Sequence, residues 1–259
     1  MIDLHSHVLP GIDDGPAELA ESLSFMRAAG EQGTTILAAT PHVRSDHPRV
    51  HVDELAERCA ELNELKSGTS DIRIIPGAEV DIFWAQGATD EDLRLASLGQ
   101  RGSDLLVETP YGLLPDSFED MLFRLRVRGF RVLLAHPERN PTFQRDPERL
   151  RELAGRGVLL QITLPSVVSR ERGSRSRKLA FALVREGLAH NLATDSHSPG
   201  EFRPPALREG VRAFEDIAPA YAEWMVTDAA AAILEGEPLP DPPRAGSGRR
   251  GIRLPGRRR

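Results

Sequence analysis

Two histidines at the start of the chain have the spacing of metal ligands. His5 and His7 are separated by one residue, and in an extended segment residues i and i+2 lie on the same face. Neutral imidazole is the commonest protein ligand for borderline divalent metals, and Asp14 follows as a third candidate. A single His-x-His pair is more often structural, so the rest of the chain must decide between the two interpretations.

Further candidate ligands stand where later strands are expected to end. Five of the eight histidines occupy strand ends, whereas His47, His51 and His190 do not and are expected to be surface or packing residues. Nine candidate ligands exceed the roughly four to six that one ion takes, and they suit two or three ions bridged by carboxylates. The nine candidates are His5, His7, Asp14, His42, Glu79, Glu108, His136, Asp195 and His197.

The elements that must position these side chains alternate between strands and helices. Helical patterns between apolar, β-branched runs predict βα units and a parallel sheet, and the carboxyl ends of barrel strands converge on one face, where active sites are built. The seven predicted strands cover residues 2–7, 34–40, 72–79, 104–109, 131–136, 157–163 and 188–195. The clearest helix covers 52–66, with an apolar stripe of Leu55, Ala56, Cys59, Leu62 and Leu65.

Composition narrows the class of protein. The 259 residues fit a single domain at 1–236 and a tail at 237–259 that is rich in Pro, Gly and Arg and is expected to be disordered. No apolar run reaches the ~18 residues that span a bilayer, and no signal peptide is recognisable. The single Cys59 suits a reducing compartment, so we expect a cytoplasmic protein without a transmembrane segment.

Charge and the one cysteine exclude two further classes. The net charge of −6 gives no support to nucleic-acid binding by the domain, although the arginine-rich tail could serve to contact an anionic surface. A cysteine-dependent phosphatase needs a phosphate loop directly after its nucleophile, whereas the residues after Cys59 continue a helical pattern. Cys59 is therefore predicted to be a buried structural residue.

The extended opening motif resembles a known family. Its residues 3–16, Asp-Leu-His-Ser-His-Val-Leu-Pro-Gly-Ile-Asp-Asp-Gly-Pro, are similar to the start of the PHP (polymerase and histidinol phosphatase) superfamily, specifically of its bacterial CpsB/CapC/YwqE-type protein tyrosine phosphatases. The resemblance covers residues 1–235, because later motifs occur in the expected order. These are Thr40-Pro41-His42, Gly77-Ala78-Glu79, His136-Pro137-Glu138-Arg139 and Asp195-Ser196-His197.

The resemblance implies a distorted (β/α)7 TIM-like barrel of the PHP fold and a site for three divalent ions, with Mn²⁺ expected first and Fe, Zn or Mg as alternatives. Two arginines, Arg139 and Arg203, match the family's phosphate-binding and catalytic positions. The matched ligands fall into three sets, which are His5, His7, Glu79 and Asp195 for one ion, Glu79, Glu108 and His136 for the second, and Asp14, His42 and His197 for the third.

Three departures from the family pattern lie in the second half of the chain. The spacing from His197 to Arg203 is one residue longer than usual, and the helix near the C-terminus has Thr227-Asp228 in place of Asn-Pro. The segment 164–173 lacks the family's Gly-Ser turn. Because that segment is expected to border the pocket, it leaves substrate choice less defined than the metal site.

The implied activity is hydrolysis of a phosphomonoester by metal-bound hydroxide, without a cysteine phosphoenzyme. The implied substrate is a phosphotyrosine protein, a bacterial tyrosine kinase of capsule or exopolysaccharide biosynthesis. The alternatives are a small-molecule phosphatase of the histidinol-phosphate type, a non-catalytic PHP regulatory domain and a nucleic-acid-processing PHP enzyme. The opening motif argues against the first, the complete ligand set against the second, and the absence of companion domains against the third.

Overall fold

The protein is an α/β barrel with short, parallel strands. The structure, a computed structural model, describes residues 1–65, 71–171, 173–200 and 203–244. The strands of this described part are β1 (Ile2–Ser6), β2 (Ile36–Ala39), β3 (His42–Val43), β4 (Arg73–Pro76), β5 (Glu79–Asp81), β6 (Asp104–Glu108), β7 (Arg131–Ala135), β8 (Leu159–Thr163) and β9 (Asn191–Ala193).

Helices alternate with most of the strands and cover the outside of the barrel. Two short 3₁₀ turns, Leu98–Gln100 and Pro137–Arg139, add to them. The helices are α1 (Leu19–Glu31), α2 (Leu55–Leu65), α3 (Ile82–Gly87), α4 (Asp90–Ala96), α5 (Phe118–Val127), α6 (Pro141–Arg145), α7 (Glu148–Gly155), α8 (Leu164–Val168), α9 (Arg175–Arg185), α10 (Leu207–Arg212), α11 (Pro219–Val226) and α12 (Asp228–Glu235).

The strands form two parallel sheets that together close the barrel. One sheet has the order β1-β2-β4 and the other the order β3-β5-β6-β7-β8-β9. The last strand returns to the first, because Asp195 N donates to His5 O at 3.0 Å and His7 N to Ser196 O at 2.9 Å. The predicted parallel α/β barrel is confirmed, and the carboxyl ends of its strands meet at one face.

Two of the seven predicted strands end early, and each is followed by a short second strand. The expected strand at 34–40 ends at Ala39, and Thr40-Pro41 separates it from β3, because proline has no N–H to donate to a ladder. The expected strand at 72–79 breaks at Gly77-Ala78, where a Cβ on Gly77 would lie 3.1 Å from the Leu98 side chain. These breaks let β3 and β5 join the larger sheet, which accounts for the distortion of the barrel.

The barrel interior is apolar near the strand starts and polar near their ends. A compact core cluster draws Leu4, Leu106 and Leu159 from the strands together with Ile233 and Leu234 of α12, which packs against β1. Residues two positions further along a strand face the same side. Glu108 and Gln161, two residues after Leu106 and Leu159, therefore point into the polar end of the same interior.

Helix α2 is shorter and less apolar than its sequence pattern predicts. It covers Leu55–Leu65, and Lys66, the predicted last residue, lies outside the described residues. Leu55, Cys59 and Leu62 are buried as expected, but Ala56 and Leu65 are exposed, so placing these two on the stripe was wrong. A four-residue spacing puts Leu55 and Cys59 on one face, whereas the neighbouring Ala56 lies 100° away from Leu55 around a helix of 3.6 residues per turn.

The backbone is strained where two strands meet the polar face. His136 follows β7 with φ of 32°, and Asp195 follows β9 with φ of 51°. Both lie in the left-handed region, which disfavours residues with a side chain and is found most often at functional sites. Arg203, with φ of 49°, shares this conformation, so three of the four such non-glycine residues in the described ranges are candidate site residues.

The chain after α12 has no helix or strand over residues 237–244 of the tail. Leu239 packs against the apolar core, and Arg131 Nη1 donates to Glu237 O at 2.7 Å. The tail thus begins as a segment attached to the barrel. Residues 245–259, on which most of the predicted disorder falls, lie outside the described residues.

Candidate functional site

All nine predicted ligand side chains meet at the carboxyl end of the barrel. They form four overlapping groups, in each of which the candidate ligand atoms lie within 4.8 Å of one another, and eight of the nine residues are buried. The exception is Asp14, whose side chain is 51% exposed. The groups are His7, Asp14, His42 and His197; His5, His7 and Asp195; His5, Glu79 and His136; and His42, Glu79 and Glu108.

Glu79 lies at the centre of this cluster. It begins β5 directly opposite His42 of β3 in the parallel register. Its Oε1 accepts from His136 Nε2 at 2.8 Å, while its Oε2 lies 3.0 Å from His42 Nδ1 and 3.2 Å from His5 Nε2. One carboxylate therefore contacts imidazoles from three strand positions, which is the placement of a bridging ligand.

Two buried polar atoms at this centre lack hydrogen bonds among the described residues. They are Glu79 Oε2 and His42 Nδ1, which face each other at 3.0 Å. An unsatisfied buried carboxylate oxygen is costly, and such exceptions in native proteins mark functional groups or absent ions. A divalent cation between these atoms would satisfy both, and mixed imidazole and carboxylate donors suit Mn, Fe or Zn. The residues present therefore fit a metal site.

The electrostatics of the carboxylates favour bound cations. Burial would raise the pKa of Glu79, but the imidazoles of His5 and His42 outweigh it and hold the pKa well below its usual value. Glu108 behaves in the opposite way, since burial and the nearby negative charge of Glu79 raise its pKa. A cation between two buried carboxylates that repel each other in this way would stabilise the charged form of both.

His5 and His7 are each oriented by a hydrogen bond from the ring nitrogen that faces away from the cluster. The two acceptors, Gln161 and Asp13, were not among the predicted site residues. His5 Nδ1 is 2.7 Å from Gln161 Oε1, and His7 Nδ1 is 2.7 Å from Asp13 Oδ2. These oxygens can only accept, so both Nδ1 atoms carry the proton and both Nε2 atoms, 3.4 Å apart, are free to ligate. Asp13 was within the opening motif but hidden by its neighbour Asp14, whereas no sequence signal pointed to Gln161.

Replacing Asp13 with asparagine is expected to weaken metal binding by about 10–100-fold, the usual cost of losing a partner behind a ligating histidine. Asp13 Oδ2 also accepts from His42 N at 3.3 Å, so the loss affects two candidate ligands. Metal titration followed by activity measures the effect, with the exposed Asp53→Asn as the matched control. Equal metal affinity in the two variants would show that Asp13 does not support the site.

Gly15 permits the turn that carries Asp13 and Asp14 to close on β1. A Cβ at this position would lie 2.1 Å from His7 O, a distance that no packing tolerates. Gly15→Ala is therefore expected to push the turn away from His7, with about 1–3 kcal/mol lost in stability and weaker metal binding. Thermal unfolding with and without metal tests this against Gly87→Ala, where the added Cβ meets nothing. Indistinguishable behaviour of both variants would contradict the expectation.

Both predicted arginines reach the same carboxylate. Arg139 Nη1 donates to Asp195 Oδ2 at 2.6 Å, and Arg203 Nη2 donates to the same oxygen. Arg203 Nη1 also lies 2.9 Å from His197 Nε2. Two guanidinium groups thus converge beside the candidate metal ligands, where a phosphate with its three exposed oxygens could take hydrogen bonds from both.

The cleft above the ligands has a volume of about 190 Å³. Its lining includes the two arginines, Arg139 and Arg203, and the segment Pro110, Tyr111 and Gly112. None of the described residues in 164–173 lines it, so the expectation that this segment borders the pocket was wrong, and Arg172 lies outside the described residues. Residues 164–168 instead form α8, which is largely buried.

The three histidines expected to be surface or packing residues behave as expected. His47 is a packing residue next to the site, because its ring stacks on His42 with 5.0 Å between centroids. His51 is exposed, and His190 is a packing residue whose Nδ1 accepts from Leu160 N at 3.0 Å. Burial and the charge of Arg131 lower the pKa of His190 to about 4.

Membrane insertion through a helix finds no support. Within residues 1–65, 71–171, 173–200 and 203–244, every helix is too short or too polar to cross a bilayer.

Comparisons with known proteins agree on one family. The family model described as capsular polysaccharide synthesis, CpsB/CapC, matches residues 1–235. The tyrosine-protein phosphatase YwqE of Bacillus subtilis is 29% identical over 243 residues, which cover 92% of this chain and 93% of that protein. The tyrosine-protein phosphatase CpsB of Streptococcus agalactiae serotype III is 26% identical over 248 residues, covering 91% and 98%.

A solved structure extends this similarity to three dimensions. It comes from the crystal structures of YwqE from Bacillus subtilis and CpsB from Streptococcus pneumoniae, described as unique metal-dependent tyrosine phosphatases. The two chains are 27% identical and superpose with a TM-score of 0.80, covering 95% of this chain and 98% of the other.

Proposed function

The chain belongs to the CpsB/CapC family of capsular polysaccharide synthesis, and from this premise we propose that it is a metal-dependent protein tyrosine phosphatase. The observation that carries the proposal is the meeting of nine metal-ligand side chains with two arginines in one cleft. The similarity to the named tyrosine phosphatases, which covers nearly the whole of both chains, supports the proposal.

The ligand cluster is proposed to hold three divalent ions, with Mn²⁺ first among the candidates. His5, His7, Glu79 and Asp195 would hold one ion, and Glu108 and His136 would share Glu79 with a second. Asp14, His42 and His197 would hold the third, and the short distances from Asp14 Oδ1 to His197 Nε2 (3.3 Å) and His42 Nε2 (3.7 Å) support this grouping. Such ions would supply positive charge and would lower the pKa of a coordinated water towards neutral pH.

The arginines are proposed to bind the phosphoryl group. In the free cleft both donate to Asp195, which holds their guanidinium planes towards the ligand cluster. A phosphate ester entering the cleft would take hydrogen bonds from Arg139 and Arg203 and offset its negative charge, which otherwise repels a nucleophile. The tyrosinate that leaves has a pKa of about 10, so it departs with less protonation than an alkoxide needs.

The partner is proposed to be a phosphotyrosine protein, specifically a bacterial tyrosine kinase of capsule or exopolysaccharide export. The family's link to capsular polysaccharide synthesis supports this assignment. A kinase that is phosphorylated inside the cell would place the enzyme in the cytoplasm. A nucleic-acid substrate is not part of the proposal, because the chain carries a net charge of −6.

A substrate panel tests the proposal. The manganese-reconstituted protein is assayed on a phosphotyrosine peptide, the same peptide with phosphoserine, and histidinol phosphate, with His136→Ala as the inactive control. We expect kcat/KM to be highest for phosphotyrosine and to fall to background in the variant. Preference for histidinol phosphate would replace the proposal with a small-molecule phosphatase.

A further inference from the structure

Tyr111 is a large aromatic side chain that the apolar core does not use. It follows β6 on the rim of the cleft and is 75% exposed. An isolated exposed aromatic on a mobile loop would need no explanation. The segment that carries Tyr111, however, is fixed on both sides, and this fixation points to a binding role.

The backbone around Tyr111 is held by the residue that follows Arg139. Asn140 Nδ2 donates to Pro110 O at 3.2 Å and to Gly112 O at 3.1 Å, so it bonds the carbonyls on either side of Tyr111. Asn140 caps α6, where its Oδ1 accepts from Thr142 N at 2.9 Å. The position of Tyr111 is thereby tied to that of the candidate phosphate-binding arginine.

The ring of Tyr111 is held by Arg44. The guanidinium carbon of Arg44 lies 4.7 Å from the ring centroid, within the range of a cation–π contact. The edges of the same guanidinium are occupied, because Nη1 donates to Glu108 Oε2 at 3.0 Å and Nε donates to Asp46 Oδ1 at 2.6 Å. These contacts fix the guanidinium of Arg44, and Tyr111 lies against it, so the ring is positioned relative to the ligand cluster.

We propose that Tyr111 is the aryl-binding wall of the cleft and that Arg44 is its positioning residue. The inference rests on the proposed function. In a phosphotyrosine the ring is one ester oxygen away from the phosphorus, so a phosphoryl group held by Arg139 and Arg203 places the ring in the same cleft that Tyr111 lines. Phosphoserine has no ring to place there. Tyr111 therefore selects aryl over alkyl phosphates through contact with the leaving group.

Two inhibitors separate ring binding from phosphate binding. Benzylphosphonate carries an aromatic ring on a phosphoryl group that cannot be hydrolysed, whereas inorganic phosphate has no ring. In Tyr111→Ala we expect the Ki of benzylphosphonate and the KM of a phosphotyrosine peptide to rise about tenfold, as the loss of one aromatic contact implies. The Ki of phosphate should stay within about twofold, and Tyr111→Phe should behave as the wild type.

Leu113→Ala is the matched control, because Leu113 is exposed on the same segment and does not line the cleft. It should change neither Ki. An equal change of both Ki values in Tyr111→Ala, or no change in either, would overturn the aryl-binding wall. Lack of phosphotyrosine hydrolysis by the wild type would instead overturn the proposed function, and the dissociation constants of the two inhibitors, measured by calorimetry without turnover, can be compared independently of it.

The role of Arg44 is tested by combining variants. Arg44→Lys keeps the charge but loses the flat guanidinium, so it should raise the Ki of benzylphosphonate and add no further increase in a Tyr111→Ala background. Metal content is measured in each protein, because Arg44 also contacts Glu108. Independent, multiplicative effects of the two substitutions on this Ki would contradict the positioning role.

Discussion

Replacing Glu79 with alanine is expected to lower kcat/KM on the order of a thousandfold, well beyond the 10–100-fold effect of an outer partner. Glu79 contacts imidazoles at three strand positions, and its buried Oε2 has no hydrogen bond from any residue that the structure describes. Its removal leaves the ligand groups without their shared carboxylate. The measurement is kcat/KM on a phosphotyrosine peptide together with the number of metal ions retained after dialysis.

Glu79→Gln distinguishes charge from volume. The amide fills the same space but cannot bridge cations as a carboxylate does, so it should lose metal nearly as completely as the alanine variant. Glu61→Ala, on the exposed side of α2, is the control and should retain metal and activity. A Glu79→Gln protein with its full metal content and wild-type kcat/KM would remove Glu79 from the site.

The convergence of the site was predictable because parallel strands impose it. His5, Glu108 and Asp195 are far apart in sequence, but each lies at or just beyond the carboxyl end of a strand, and parallel strands in a barrel present these ends together. The alternation of side chains along a strand then places Glu108 above Leu106 in the same interior. The clustering of the candidate ligands at one face therefore follows from the predicted strands and the spacing of the ligands along them.

The partners of those ligands were not predictable, since they depend on contacts between distant elements. Gln161 lies on β8 and contacts His5 of β1, and nothing in its local sequence distinguishes it from a core polar residue. The break between β2 and β3 likewise depends on Pro41 and on the pairing of His42 with Glu79 of the neighbouring strand β5. Sequence periodicity describes one element at a time and leaves such pairings open.

Chelation is expected to abolish activity, whereas removal of the only cysteine should not. Cys59 is 2% exposed on α2, and burial raises the pKa of its thiol to about 12, so almost no thiolate exists at neutral pH. The clustered ligands, in contrast, depend on bound cations. Treatment with a strong chelator should lower the rate by more than about a hundredfold, and Mn²⁺ should restore it.

Cys59→Ala is the matched test of the cysteine. The substitution removes one buried atom from the α2 stripe, which costs about 1 kcal/mol of stability but leaves the cleft untouched. Its kcat should match that of the wild type, and iodoacetamide should not inhibit the native enzyme. Chelator-resistant activity that disappears in Cys59→Ala would reverse the proposal, because a thiolate nucleophile would then perform the reaction that we propose for the ligand cluster and its arginines.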